Sequence, residues 1–495
     1  MRRFWLFFLS SVVFSSAFGR PNLVFILADD LGWGELGCYG QEKIKTPNLD
    51  RLAAGGVQLM RHYAGAPVCA PSRCVLLTGK SLARAEIRNN GDSKNGRKFP
   101  GQWPISEEAV TLAEVLQSAG YRTGGFGKWG LGPTDSSGSP LRQGFDRFYG
   151  YNCQRNAHSF YPPFLDDDEG VEILNDPAIP GHAKKLQGEV LAETYWGQVY
   201  APDRILEEAL EFIEAHKEEP FFLYCPFVEP HVAMHPPAEW VDRYPREWDE
   251  EKGVYRGTSG YLPHPRPRAG YAAMISDLDE YVGAVMDRLE ELELAENTLI
   301  VFTSDNGTTH RGSDPDFNIG GVDPDFFNSL RGLRGFKGSV YEGGLRVPAI
   351  VRWPGRIEPG GRSHTPSYFP DWFPTFCAAA GVVPPSGMDG VNLLEELVGE
   401  KTLVREVPML WEFHGYGGQV AVIDGDWKAV WMGFARKGKR PPWALYHLKT
   451  DPAEAKDLAS KEPEKLRELQ SVWHENRSDH ERYRIAPLKE ELSSP

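Results

Sequence analysis

The apolar positions of the chain fall into two alternating patterns. Continuous apolar runs rich in β-branched and aromatic residues, at 22–28, 220–227 and 298–303, are typical of strands buried on both faces of a parallel sheet. A shorter candidate strand covers 121–126. Apolar positions with a helical period separate these strands, at 112–119, 206–213 and 278–289. The alternation predicts βα units and therefore an α/β fold, with a mostly parallel sheet flanked by helices.

Polar residues follow each predicted strand. The pair Asp29-Asp30 follows the first strand, Lys128 follows the strand at 121–126, His231 follows the third, and Asp305-Asn306 follows the fourth. In an open α/β sheet, ligands bind beyond the carboxyl ends of the strands. We therefore expect these side chains to converge on one site.

The pattern changes towards the carboxyl end. Residues 379–390, AAGVVPPSGMDG, contain paired prolines and glycines that interrupt it. Beyond them, 419–434 alternates around an Asp-Gly turn like a hairpin, and 463–475 has the period of one amphipathic helix. We predict a catalytic domain at 20–385 and a smaller α+β subdomain at 386–495.

Composition and charge exclude some classes of function. The chain has 495 residues, and its 69 acidic against 54 basic side chains give a net charge of −15, which argues against nucleic acid or anionic lipid as a partner. A local basic run, Arg331, Arg334 and Lys337, is expected to concentrate an anionic substrate. Six cysteines are too few for a disulfide scaffold in a chain of this length.

The amino terminus has the form of a secretory signal. A basic start precedes an apolar run from Phe4 to about Val13, and Ala17 and Gly19 have the spacing of a cleavage site. The apolar run is shorter than the about 20 residues that a membrane span needs. We predict a signal peptide at 1–19, a secreted or periplasmic protein, and no stable membrane insertion.

The stretch from Val68 to Gly79 carries the most specific chemistry. Pro71 suits a first helical turn, and a cysteine just before that turn lies where helix amides favour an anion. A buried structural cysteine is the alternative interpretation. The segment Cys69-Ala70-Pro71-Ser72-Arg73, followed by Leu77-Thr78-Gly79, resembles the signature of the formylglycine-dependent sulfatases of the alkaline phosphatase superfamily. Further blocks resemble that family in the same order: Asp29-Asp30, Gly127-Lys128-Trp129, Pro230-His231, Ser304-Asp305-Asn306-Gly307, Gly335-Phe336-Lys337-Gly338 and Glu342-Gly343-Gly344-Leu345-Arg346.

The resemblance implies an alkaline-phosphatase-like fold and a set of site residues. It implies that a maturation enzyme oxidises Cys69 to formylglycine, whose hydrate attacks the sulfur of a sulfate ester. The implied ligands of a Ca²⁺ ion, or of Mg²⁺, are oxygen donors, with the residue at 69 completing the shell. These ligands are Asp29, Asp30, Asp305, Asn306 and Cys69. The implied sulfate-binding and catalytic groups are Arg73, Lys128, Lys337 and His231, with His231 protonating the departing alcohol. Solvated lysines and a loop histidine bonded to backbone are the structural alternatives.

One position departs from the family pattern. Members commonly carry Gly-Lys-Trp-His-Leu-Gly, whose histidine is thought to help eliminate sulfate, whereas this chain has Gly130 there. Either another residue has taken over that step or the chain is slow or inactive. A glycine leaves room for a side chain from elsewhere, and His158, in a block that resembles sulfatases with this glycine, is our candidate for elimination or substrate contact.

The sequence thus predicts a sulfatase that hydrolyses a sulfate monoester, with a sulfated small molecule or saccharide as substrate. The alternatives are a phosphomonoester or phosphonate hydrolase of the same superfamily and an inactive, sulfatase-like carbohydrate-binding protein.

Overall fold

A computed structural model describes residues 19–93, 101–182, 186–258, 260–312, 316–436 and 440–485. All of the predicted signal peptide except Gly19 lies outside the described residues. In chain order the strands are β1 (Asn22–Ala28), β2 (Val57–Leu59), β3 (His62–Tyr63), β4 (Asp92–Ser93), β5 (Gly101–Gln102), β6 (Arg122–Lys128), β7 (Arg147–Tyr151), β8 (Phe164–Asp167), β9 (Gly170–Ile173), β10 (Phe221–Pro226), β11 (Thr298–Ser304), β12 (Ala349–Arg352), β13 (Gly361–Ser363), β14 (Ser367–Tyr368), β15 (Met409–Phe413), β16 (Gln419–Asp424), β17 (Trp427–Met432) and β18 (Ala444–His447).

The α-helices lie between and after these strands in the chain. They are α1 (Pro47–Ala54), α2 (Cys69–Thr78), α3 (Leu112–Ser118), α4 (Ala201–Ala215), α5 (Ala238–Val241), α6 (Glu247–Lys252), α7 (Pro267–Glu291), α8 (Pro324–Phe327), α9 (Glu342–Leu345), α10 (Trp372–Ala380), α11 (Leu394–Leu397) and α12 (Pro463–Asn476). Short 3₁₀ turns lie at Gly37–Tyr39, Pro140–Gln143, Asn156–His158, Ala192–Tyr195, Ala295–Asn297, Ile319–Gly321 and Phe369–Asp371.

A large mixed sheet forms the centre of the fold. Its strands in the described residues run in the order β13-β2-β12-β11-β1-β10-β6-β7-β8-β9. The five strands β11, β1, β10, β6 and β7 run parallel to one another, while β12, β8 and β9 pair antiparallel. The predicted strands at 22–28, 121–126, 220–227 and 298–303 correspond to four of these central strands. Their carboxyl ends therefore meet at one edge of the sheet, as expected.

Helices cover both faces of this sheet, which explains the continuous apolar run of β1. Leu23, Phe25 and Leu27 lie in a core cluster that contains residues of α2, α3 and α10. Val24 and Ile26 lie in a second cluster, with residues of α1, α4 and α7. Since alternate side chains of a strand face opposite sides, both faces of β1 must be apolar.

A smaller antiparallel sheet follows in the carboxyl-terminal part. Strands β15 to β18 pair in sequence order, with the predicted hairpin formed by β16 and β17. The helix α12 packs on this sheet through Leu469 and Trp473, which join Val420 and Trp431 in a third core cluster. The predicted fold class, including its carboxyl-terminal α+β part, is confirmed. The boundary predicted at 385/386 lies in the loop between α10 and α11.

Two further features concern the cysteines and the length of the helices. No disulfide links the six cysteines, all of which lie among the described residues. Among the described residues, no helix combines the length and the apolar character that crossing a bilayer requires.

Candidate active site

The polar residues that follow the central strands meet at the carboxyl edge of the sheet. Asp29 and Asp30 come directly after β1, Lys128 ends β6, and Asp305 comes directly after β11. Backbone bonds continue the ladder past the strand ends, since the amide of Asp305 donates to Ala28 and that of Asp29 to Glu229. The convergence predicted from the sequence is therefore present.

Cys69 lies at the start of α2 and faces the two aspartates. The helix begins at Cys69 itself, whereas the sequence predicted that it begins just after this cysteine. Pro71 lies in its first turn. The Oδ1 atom of Asn90 accepts a hydrogen bond from the Ala70 amide, which fixes this end of the helix. The Cys69 Sγ is 3.2 Å from Asp29 Oδ1, and its side chain is buried.

Three cationic side chains bind the three carboxylates. Arg73, one helical turn beyond Cys69, donates to Asp305 Oδ2 at 2.8 and 3.1 Å and to Asp29 Oδ2 at 3.3 Å. The Lys128 Nζ is 2.5 Å from Asp29 Oδ2. The Lys337 Nζ is 2.6 Å from Asp30 Oδ1 and 3.4 Å from Cys69 Sγ. All of these groups are buried.

The three carboxylates differ in electrostatic environment. Burial acts to raise the pKa of Asp29, but the charges of Lys128, His231 and Arg73 hold it well below its ordinary value. Burial raises the pKa of Asp30 despite the opposing charge of Lys337. Burial and the negative charge of Asp29 likewise raise the pKa of Asp305. Additional positive charge would therefore stabilise the ionised carboxylates of this cluster.

The donor set fits a metal ion. Asp29, Asp30, Cys69 and His231 each place one potential ligand atom within 4.8 Å of the others. Asn306 donates from Nδ2 to Asp30 Oδ1 at 2.7 Å, while its Oδ1 is buried and has no hydrogen-bond partner in the described part of the chain. Carboxylate and amide oxygens are the ligands that Ca²⁺ and Mg²⁺ prefer. An unsatisfied carbonyl oxygen beside buried carboxylates indicates a metal site.

Two stacked imidazoles form one wall of the site. The rings of His231 and His158 lie 4.9 Å apart at 15°. His158 Nδ1 is 2.8 Å from His182 Nε2, and His182 Nδ1 is 2.6 Å from the carbonyl of Gly260. Because a carbonyl only accepts, His182 Nδ1 carries a hydrogen. Burial and the charge of Lys128 lower the pKa of His158 well below its usual value.

A cavity of about 300 Å³ lies beside these groups. The sequence predictions placed Cys69, Lys128, His158, His231 and Lys337 in the site, and all five line this cavity. Sequence reasoning missed several lining residues, which all come from loops except Gln102 at the end of β5: Asn90, Gly91, Gln102, Gln154, Arg155, Tyr261, His310 and Tyr416. Tyr416 comes from the loop between β15 and β16, so the carboxyl-terminal sheet contributes to the site. None of these residues has a strand-end signal in the sequence.

The space beside Gly130 is filled by a residue other than the one expected. A Cβ atom built on Gly130 would lie 2.0 Å from Nε2 of Gln154. The expectation that an imidazole of the following loop enters this space is wrong, because Gln154 occupies it while His158 stacks on His231. The catalytic role of His158 stays a prediction.

The basic run also differs from expectation. Of the three residues of this run, only Lys337 lines the cavity. The guanidinium of Arg334 lies 3.9 Å from the ring centre of Tyr341 and donates to the Glu454 carbonyl. Arg331 donates to the Gly40 carbonyl. The run therefore does not form a single basic surface at the site.

Comparisons with known proteins identify the family. Residues 21–382 match the Sulfatase family, which is more than half of the chain. The chain belongs to the sulfatase family. Residues 335–480 also match the N-sulphoglucosamine sulphohydrolase C-terminal family.

Individual sulfatases cover most of the chain. The N-acetylgalactosamine-6-sulfatase of Homo sapiens is 32% identical over 78% of this chain and 67% of its own length. The N-acetylgalactosamine-6-O-sulfatase of Bacteroides thetaiotaomicron is 31% identical over 92% of both chains. A solved Bacteroides thetaiotaomicron structure described under the metabolism of multiple glycosaminoglycans has a TM-score of 0.69 and 27% identity, over 92% of this chain and 99% of that one. The protein is a sulfuric ester hydrolase.

Proposed function

We propose that this sulfatase hydrolyses sulfate monoesters on a carbohydrate, and that it does so outside the cytoplasm. The observation that carries the proposal is the placement of Cys69 at a helix start, in a cavity shared with Lys128, His231 and Lys337. The relatives named above act on N-acetylgalactosamine sulfates, which supports a sulfated sugar as substrate. The apolar run at 4–13 supports export.

The residue at 69 is proposed to act as formylglycine. Burial and the charge of Asp29 raise the pKa of the Cys69 thiol above its ordinary value, so the unmodified side chain is a neutral thiol and a poor nucleophile. Formylglycine supplies a hydrated aldehyde oxygen as the nucleophile, and bound Ca²⁺ supplies positive charge for that oxygen and the sulfate. Asp29, Asp30, Asp305 and Asn306 would hold the ion.

The side chains of the cavity then divide the remaining work. Lys128 and Lys337 bind sulfate oxygens, where fixed cations stabilise the charge that develops in the transition state. Arg73 holds Asp29 and Asp305 in position through the bonds described above. Because these cations are already oriented by the carboxylates, little reorganisation accompanies the reaction.

His231 is proposed to protonate the leaving alcohol. Its Nδ1 lies 2.5 Å from the Val232 carbonyl, so Nδ1 carries a hydrogen and Nε2 is the atom that gains and loses the catalytic proton. Burial, Lys337 and Lys128 lower the pKa of His231. The negative charge of the bound ester offsets the two lysines, which favours the protonated form in the complex.

Paired cysteine variants test this proposal. Cys69→Ala should abolish hydrolysis of an aryl sulfate, whereas Cys74→Ala, a buried position on the same helix outside the cavity, should retain it. A panel of defined sulfated saccharides then identifies the sugar. Faster turnover of a matched aryl phosphate would favour a phosphoester hydrolase, and glycan binding with an unmodified, inactive Cys69 would favour a binding protein.

A further inference from the structure

Gln154 carries an unsatisfied donor at the wall of the active-site cavity. It lies three residues beyond β7, its side chain is 7% exposed, and it lines the same cavity as Cys69, Lys128 and His231. Its Nε2 atom is buried and has no hydrogen-bond partner within the described ranges. Buried amide groups are nearly always paired in folded proteins, so an unpaired one facing a cavity indicates a ligand group that completes it.

Gly130 makes the room for this amide. The Trp129 amide donates to the Tyr151 carbonyl at 2.9 Å, which holds the loop after β6 beside the loop after β7. A Cβ at position 130 would lie 2.0 Å from Gln154 Nε2, and Gly130 has a φ of 93°, which other residues rarely adopt. The glycine and the glutamine therefore share one volume, and a side chain at 130 excludes the amide at 154.

We propose that Gln154 Nε2 donates a hydrogen bond to a sulfate oxygen of the substrate and so positions the ester beside Lys128. This assignment rests on the proposed sulfatase function. Sulfate oxygens only accept hydrogen bonds, which matches a free N–H in a cavity that also contains Lys128, Lys337 and Arg155. An amide does not titrate, so this contact persists over a wide pH range.

Binding of inorganic sulfate, measured by calorimetry on the metal-loaded protein, tests the assignment without requiring turnover. Gln154→Met should raise the Kd for sulfate about 10- to 100-fold, as expected for a hydrogen bond to a charged group. Its melting temperature should not fall, because the replaced amide nitrogen has no partner. Gln143→Met is the matched control, since Gln143 is 2% exposed and donates to the Ser137 carbonyl outside the cavity.

The control should lower the melting temperature and leave sulfate affinity unchanged. A Gln154→Met protein with sulfate affinity within twofold of the wild type would overturn the assignment. If the wild type binds sulfate but hydrolyses no sulfate ester, the proposed function fails while the contact of Gln154 stands.

A double-mutant cycle tests the shared volume. Gly130→Ala should weaken sulfate binding by displacing Gln154, and the same change in the Gln154→Met background should cause little further loss. Additive losses in the double variant would show that Gly130 acts independently of Gln154.

A second cavity carries an independent inference. It measures about 590 Å³, and we call it the basic groove. Its polar lining consists of Trp33, Arg61, Arg331, Arg346, His364, Lys449 and one carboxylate, Asp426. Four permanent cations against one acid stand out in a chain with a net charge of −15.

The arginines of the groove are held in place by backbone carbonyls. Arg331 donates to Gly40 at 2.7 Å, and Arg346 donates from Nε to Met60 at 3.0 Å. Arg61 pairs with Asp426 at 2.8 Å and Arg346 lies 3.8 Å from Glu342, so both are partly neutralised. Fixed guanidinium groups bind sulfate or carboxylate with little loss of side-chain entropy.

We infer that the basic groove binds a second sulfated segment of a polymeric saccharide while another segment is in the active-site cavity. This deepens the proposed function, because it assigns a polymer as the substrate. None of the groove residues lines the cavity of Cys69, so the two sites can be altered separately.

Charge reversal separates the two sites. Arg331→Glu with Lys449→Glu should raise KM for a sulfated oligosaccharide of six or more sugars about 5- to 20-fold. KM for a small aryl sulfate, and kcat for both substrates, should not change. Lys401→Glu with Arg246→Glu is the control for net charge, since both side chains are more than 70% exposed and lie outside the groove.

Equal effects on the two substrates, or no effect on the oligosaccharide, would overturn the inference. A desulfated oligosaccharide should compete poorly, and if it competes as well as the sulfated one, the groove does not recognise sulfate. A wild-type enzyme that hydrolyses neither the aryl sulfate nor any sulfated saccharide would refute the proposed function instead, and oligosaccharide binding to the Cys69→Ala protein would still report on the groove.

Discussion

This protein contains two buried clusters of charged side chains, which are built from the same kinds of residue and have different roles. In the carboxyl-terminal part, Glu412 accepts hydrogen bonds from Arg88, His414, Trp473 and Arg477, at 2.6 to 3.3 Å. Burial acts to raise the pKa of Glu412, but the bonds from His414 and Arg477 lower it to about 2. Each carboxylate oxygen has at least two donors, so this cluster is complete within the chain.

The active-site cluster is incomplete by the same measure. The pKa values of Asp30 and Asp305 are raised, Asn306 Oδ1 and Gln154 Nε2 lack partners among the described residues, and a cavity adjoins the cluster. Burial of charge alone therefore does not identify a functional site. What separates the two clusters is whether the protein itself supplies the partners of each buried polar atom.

Isosteric neutralisation of Asp30 should give the largest effect. We expect Asp30→Asn to lower kcat/KM more than about 100-fold and to lose bound metal together with activity. The melting temperature of the metal-free proteins should change little, because the lost pairing with Lys337 is offset by relief of the repulsion between Asp30 and Asp29. Metal content by mass spectrometry, read beside turnover, checks this. A metal-free variant with full activity would show that the aspartates are structural.

The matched change in the complete cluster should have the opposite profile. Glu412→Gln leaves the buried Arg88 without its counter-charge, removes one of the two acidic partners of the half-buried Arg477, and should lower the free energy of unfolding by about 3 to 5 kcal/mol. The kcat of the folded fraction should stay within twofold of the wild type. Denaturant unfolding measures the first quantity, and a large loss of kcat at unchanged stability would remove the distinction between the clusters.

Acid should separate the clusters further. The lowered pKa of Glu412 means that its stabilisation is complete above the unfolded-state value near 4.5 and is lost as the pH falls towards about 2. In that window the unfolded state binds the proton first, at about 1.4 kcal/mol per pH unit. The unfolding free energy of Glu412→Gln should therefore fall less steeply below pH 4.5 than that of the wild type. Parallel curves would contradict the assignment.

Tyr416 joins the two regions and should show the smallest effect. It is 57% exposed, comes from the loop before β16, and its hydroxyl is 2.9 Å from His310 Nε2 in the cavity wall. Tyr416→Ala should raise KM for a sulfated saccharide about 2- to 10-fold through the loss of a ring surface, without a change in stability. Tyr416→Phe keeps the ring and serves as the control. Equal KM values for all three proteins would exclude Tyr416 from substrate binding.

The parts of the fold that the sequence predicted share a local cause. A strand buried on both faces leaves a continuous apolar run, so 22–28 and 298–303 were identifiable, and the parallel arrangement then places Asp29 and Asp305 together. The direction of a loop side chain has no such local signature. Gln154 reaches Gly130, Tyr416 reaches the cavity from another sheet, and Arg334 turns towards Tyr341 because of tertiary packing alone.

The residue at position 69 is proposed to react as an oxidised cysteine, and peptide mass analysis of active enzyme tests this proposal. The peptide that contains position 69 should be lighter by about 18 Da than its sequence requires, as conversion of a thiol to an aldehyde demands. Cys74 should keep its unmodified mass. An active enzyme whose Cys69 is entirely an unmodified thiol would show that the reaction does not use formylglycine at this position.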